Sequence, residues 1–181
     1  MDCLDVKKVL IPSVALEVLL HYKVWEKTSL RKLTLGLALV NTYWLATTLN
    51  LSLLVSPLLL KEAAKSEADA EEKLKCGAEH FNILNKLEIP IAVLGLDLYC
   101  EWRKRIIDNN GFVDNCLAAA IWAPVLVTAV QAAVILPKVN KQKTFTAEDG
   151  PKPVCAYVGF EAVKFAGLAV AGLRFGKMLI I

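Results

Sequence analysis

The sequence predicts an all-α integral membrane protein: a four-helix bundle forming a single membrane domain over residues 1–181, with an N-terminal interfacial helix. Three observations carry that class. The chain is 56% hydrophobic with a mean hydropathy of +0.47, more apolar than an ordinary globular domain, where roughly half is usual. Its apolar residues are bunched rather than dispersed. The bunches come at lengths near the roughly 20 residues that cross a bilayer.

Residues 1–32 form the N-terminal interfacial segment. Within it Pro12 and Ser13 signal a helix start, followed by VALEVLLHYKVW. That run is short for a span and suits a helix lying at the interface or packed along the bundle. The first span, 33–60, holds no ionisable side chain except Tyr43 in 28 residues. At 1.5 Å per residue it is about 42 Å long, so it must tilt, bend at Pro57 or project beyond the lipid.

Residues 61–80 (KEAAKSEADAEEKLKCGAEH) are rich in Ala, Glu and Lys, and Asp69/Lys73 and Glu71/Lys75 are spaced as i,i+4 pairs. That pattern predicts a solvated helix continuing the first span. The second span, 81–100, carries Lys86, Glu88 and Asp97, with Pro90 a candidate bend. A loop over 101–114 contains the turn signal Asn109-Asn110-Gly111. The third span, 116–137, is free of charge. A loop over 138–153 with Gly150 and two prolines leads to the fourth span, 154–181, which carries Glu161, Lys164, Arg174 and Lys177.

Four spans place both termini and the 101–114 loop on one side, with eleven Lys and Arg; the other side has nine, and Lys164 lies between. This difference leans only slightly toward the termini facing the cytoplasm or matrix. Asp2 and Asp5 argue against an Arg-rich presequence, and the first long apolar run starts at residue 33, late for a signal peptide. The expected location is an integral membrane site, the mitochondrial inner membrane ahead of a bacterial plasma membrane, reached through internal signals or after processing.

Counting inward from the side holding 61–80 brings five polar groups to one depth: Asn50, Glu88, Gln131, Glu161 and Lys164. Glu88 and Glu161 lie about seven residues in and Lys164 about ten, very roughly 10 to 15 Å. Charges at such depth cost about 2.5 to 3.5 kcal/mol each and are normally turned inward and paired. At about 100° per residue, Glu161, Lys164, Phe165, Leu168, Gly172 and Phe175 share a face of the fourth span, as Asn85, Glu88, Ala92, Gly95 and Tyr99 do on the second. This predicts that Lys164 bridges Glu161 and Glu88 where the two helices touch, with Ala92 and Gly95 allowing the approach. Gly167/Ala171 and Gly172/Gly176 add small-xxx-small spacings on the fourth span. Arg174 and Lys177 point elsewhere and snorkel.

No CxxC, HExxH, GxSxG or GxxxxGK[ST] occurs, so metal hydrolysis, triad chemistry and nucleotide binding have no sequence support. His21 and His80 fall on opposite sides of this topology and cannot both ligate one haem. The five cysteines read as free thiols, because the plausible pairs Cys100/Cys116 and Cys76/Cys155 face different compartments. Trp25 and Trp102 fit an aromatic belt, and Trp44 and Trp122 read as packing. No catalytic, metal or cofactor-binding residue is expected, nor a nucleic-acid partner.

Trp44-Leu45-Ala46, Pro57-Leu58-Leu59, Phe81, and Gln131 through Pro137-Lys138-Val139-Asn140 carry a resemblance. In their order they resemble a family of small four-helix membrane proteins that includes the transmembrane proteins linked to cisplatin resistance. The chain lacks that family's glycine near Trp44 and the phenylalanine after the proline. The resemblance implies a four-helix bundle and transfers no catalytic residue.

These readings together favour a non-catalytic accessory or structural subunit of a larger membrane complex, for example a respiratory or ATP synthase assembly, partnered by lipid and other membrane subunits. The alternative is a small channel or carrier moving protons or ions through the polar layer. An enzyme ranks third.

Overall fold

The computed structural model describes residues 6–50, 67–141 and 152–180. Among them the fold is all helical. Helix α1 (Val6–Lys23) leads through a 3₁₀ turn at Trp25–Lys27 to α2 (Leu30–Thr48). Helix α3 (Glu67–Asp108) is followed by α4 (Asn115–Val130), a π-helical turn at Gln131–Ile135, the short α5 (Leu136–Lys141) and α6 (Lys152–Ile180). Among the described residues two segments, Asn115–Val139 and Cys155–Ile180, are long and apolar enough to cross a membrane. The expected continuation of the first span past residue 50 into a helix over 61–66 lies outside the described residues.

Helix α3 differs from the sequence expectation by being one element. It runs unbroken through Pro90 for 42 residues, about 63 Å at 1.5 Å per residue. The expected solvated helix from Glu67 onward, the second span and half of the expected 101–114 loop are all parts of it. It ends in a paired C-terminal cap: Asn110 takes φ 57°, and the N–H groups of Asn110 and Gly111 donate to Ile107 O and Ile106 O at 2.9 and 2.8 Å. Asparagine tolerates the left-handed conformation this cap needs. Helix α4 then starts at Asp114, whose Oδ1 accepts from the Cys116 N–H at 3.0 Å.

Helix α6 packs on α2 and α4, and α3 packs on the same two from the other side. The four therefore form a ring in which α3 and α6 are diagonal. The sequence expectation that Ala92 and Gly95 bring α3 against α6 is corrected accordingly. A Cβ on Gly95 would face Val40 of α2 at 3.5 Å, and Ala92 packs with Trp44 and Leu168 in mid-bundle.

Helix α1 is a fifth element, packed on α3. Val6 lies beside Ile89, and His21 Nδ1 stands 2.8 Å from Asp97 Oδ1, so the two helices run side by side in the same direction. The helix expected at the interface is thus packed along the bundle. Val6 begins at the level of Glu88 and Ile89, whereas Ile180 ends beside Leu30 and Trp102, so the two ends of the described chain stand at different levels of the bundle rather than together.

Apolar packing forms three layers. Phe81, Leu84, Leu136 and Tyr157 fill the end where α6 begins, with the Phe81 and Tyr157 rings 4.3 Å apart. Trp44, Ala92 and Leu168 fill the middle. Leu33, Leu37, Trp102, Leu117 and Phe175 close the other end, where Trp102 Nε1 donates to Thr34 Oγ1 at 3.0 Å. Among the described glycines the tightest approach between two helices is at Gly167, where a Cβ would come within 3.0 Å of Ala120 O and of the Pro124 ring. Gly167→Val is expected to cost about 1–3 kcal/mol through overpacking, read as a lowered melting temperature in detergent. Gly176→Val meets open space and should leave melting unchanged.

Candidate functional site: a sealed charged layer

Between the Tyr157 layer and the Trp44 layer lies a cluster of ionisable side chains. Lys164 Nζ donates to Glu88 Oε2 at 2.6 Å and to Glu161 Oε1 at 2.7 Å. All three residues are 0% exposed. Glu161 and Lys164 are one turn apart on α6, as i,i+3 spacing dictates. Glu88 stands on the diagonal helix, and the length of the lysine side chain bridges that diagonal.

The layer is completed by neutral donors. Trp44 Nε1 donates to Glu88 Oε1 at 3.0 Å, and Thr48 Oγ1 to the same oxygen at 3.3 Å. Gln131 Nε2 donates to Glu161 Oε1 at 2.6 Å and to the Tyr157 carbonyl at 3.2 Å. Asn85 Nδ2 donates to the Tyr157 hydroxyl at 2.5 Å. Two carboxylates face one ammonium, so with all three ionised the layer carries one excess negative charge. The indole, hydroxyl and amide donors spread that excess, as a buried ion pair requires.

Gln131 opens the π-helical turn in which α4 gives way to α5. Such turns shift the helix face. Here the shift coincides with Gln131 reaching both Glu161 and the Tyr157 backbone while remaining 0% exposed.

Four of the five residues expected in the layer, Glu88, Gln131, Glu161 and Lys164, are thus brought together. Asn50 is not. It is exposed, in the π-helical turn two residues beyond the buried Thr48, and so on the opposite side of the helix. The residues of α2 that reach the layer are Trp44 and Thr48. The sequence reading takes Trp44 as packing; Leu37, Asn41, Trp44 and Thr48 recur at helical spacing and all are buried. Trp44→Phe removes the indole donor while keeping most of the ring. It should lower stability by about 1.5 kcal/mol, the value of a hydrogen bond to a charged acceptor, measured as a melting shift.

A second polar group ties α1 to α3. The tie is the His21–Asp97 contact; beside it, within α1 and the turn that follows, Trp25 Nε1 lies 3.4 Å from Glu17 Oε2. Burial raises the Glu17 carboxyl above its ordinary value near 4.5; the Trp25 hydrogen bond opposes this and Asp97 adds to it. Arg174, expected to snorkel alone, is paired with Asp114 at the start of α4, while Lys177 is exposed. Cys100, Cys116 and Cys155 are exposed free thiols.

No protein-family model, curated protein or solved structure matches the chain.

Proposed function

We propose that the chain is a non-catalytic accessory subunit of a larger membrane assembly, held in register by its buried charged layer. The observation that carries this reading is the closure of the layer. Glu88, Gln131, Glu161 and Lys164 are each 0% exposed, and none of them lines the groove at Leu30, Trp102 and Ile180 or the groove at Leu10, Val93 and Val125. Charges so enclosed suit helix registration better than passage. The outside of the bundle supports association: Ile11, Leu19 and Tyr22 on α1, Leu39 and Tyr43 on α2, and Leu173 on α6 are large, apolar and at least 59% exposed. Such surface is suited to lipid and to neighbouring membrane helices. The mitochondrial inner membrane is the proposed setting.

The test is the native mass of the protein extracted in mild detergent. Co-migration with other membrane subunits is expected. A species that always runs alone or as a homodimer would overturn the proposal.

A carrier moving protons or ions is the second reading. It is favoured by the imbalance of two carboxylates to one lysine and by buried acceptors in the layer, Asn85 Oδ1 and Gln131 Oε1, that have no hydrogen-bond partner. Glu88→Gln in proteoliposomes separates the two. Intact assembly with lost proton flux supports a carrier; lost assembly with no flux in either protein supports registration.

A further inference from the structure

Outside the charged layer, α1, α3 and α4 enclose a groove of about 330 Å³. Its walls include Leu10, Ile89, Val93, Leu96, Val125 and Ala129, and no charged side chain lines it. Small side chains make the hollow: Ala92, Ala129, Ala132 and Ala133 stand where larger residues would close it. A volume of this size is at the lower end of small-molecule sites.

Two lysines sit at one end, and the Asp97–His21 contact lies beyond Leu96 at the other. Lys7 follows Val6, which lines the groove, and Lys86 is one turn before Ile89 on the same face of α3. Both lysines are exposed. Side chains on a helix lean toward its N-terminus, and α1 and α3 run in the same direction, so both lysines lean beyond the same end of the groove. An apolar trough with two cations at one end matches one molecule in shape and charge: a phospholipid with an anionic headgroup.

We infer that this groove holds one acyl tail of an anionic phospholipid whose phosphate is held between Lys7 and Lys86. The site rests on the chain residing in a membrane, as proposed above. It gives α1 a purpose the bundle alone does not supply: the helix forms the third wall. The tail would lie against Leu10, Val93 and Val125, and the lysines would snorkel to the headgroup.

The full chain is reconstituted in vesicles containing equal phosphatidylglycerol and phosphatidylcholine, extracted in mild detergent, and its retained lipid identified by native mass spectrometry. Retention of one phosphatidylglycerol per chain in preference to phosphatidylcholine is expected. Lys7→Glu and Lys86→Glu should each weaken that preference by about fivefold or more, the value of one cation near an anionic surface. Ala129→Trp, at an exposed position of α4, should abolish retention of both lipids. Equal retention of the two lipids by the native chain, or a preference untouched by the lysine variants, overturns the inference even where Ala129→Trp misfolds. Recovery of the protein in the soluble fraction after carbonate extraction overturns the membrane reading itself, and this site with it.

Discussion

Lys164→Met is expected to be the most damaging single substitution in the chain. The variant leaves Glu88 and Glu161, both 0% exposed, facing each other without the ammonium that lies 2.6 and 2.7 Å from them. Removing one partner of a buried ion pair costs about 3–5 kcal/mol, because the desolvated charge left behind loses its counter-ion. That is a large part of the 5–15 kcal/mol typical of a whole domain. Thermal unfolding in detergent should show a sharp fall in melting temperature, or no folded monomer. The triple variant Glu88→Gln, Glu161→Gln, Lys164→Met removes all three charges together and should recover to within about 2 kcal/mol of the native protein. A triple variant as unstable as Lys164→Met would show that shape, not charge, dominates the site.

Arg105→Met should be the next most costly. Arg105 Nε donates to Glu101 Oε1 at 2.7 Å, and Nη2 reaches Trp25 O and Glu26 O at 2.8 and 2.7 Å. Nη1 donates to the Thr28 carbonyl. One guanidinium thus fixes the turn between α1 and α2 to the end of α3. Without it Glu101, whose side chain is 4% exposed, keeps only Lys104 at 3.8 Å. The expected loss is about 3 kcal/mol. It should be accompanied by faster amide exchange at Val24, Lys27 and Thr28, whose N–H groups close that turn. Arg105→Lys retains a charge for Glu101 but cannot serve several carbonyls with a planar fork, so its loss should be smaller and its amide exchange still raised.

Which parts of this arrangement can be read from the sequence depends on the physical quantity involved. Helical periodicity assigns inward faces, and the face of α6 bearing Glu161, Lys164, Leu168 and Phe175 is the buried one. Periodicity does not say which helix that face meets. The diagonal placement of α3 and α6 follows from how all four helices pack, and only a long side chain such as Lys164 spans it. Depth counted along a helix axis ignores rotation about it, which is why Asn50 shares a level with Glu88 and yet faces outward. Trp44 carries one polar atom on a large apolar ring, so in an apolar run it reads as packing until Glu88 is placed beside its Nε1. Asp97 and His21 are 76 positions apart, and nothing local announces their contact. The course of α1 is not legible locally for the same reason: a dozen apolar residues suit an interface and a helix flank equally.

The most direct measurement is a double-mutant cycle between Glu88 and Lys164, taking unfolding free energies of the native chain, Glu88→Gln, Lys164→Met and the combined variant in one detergent. A buried bridge joining α3 to α6 predicts a coupling of at least about 2 kcal/mol. Single-variant losses that add to within about 0.5 kcal/mol would mean that the two side chains do not interact across the bundle, and would contradict it.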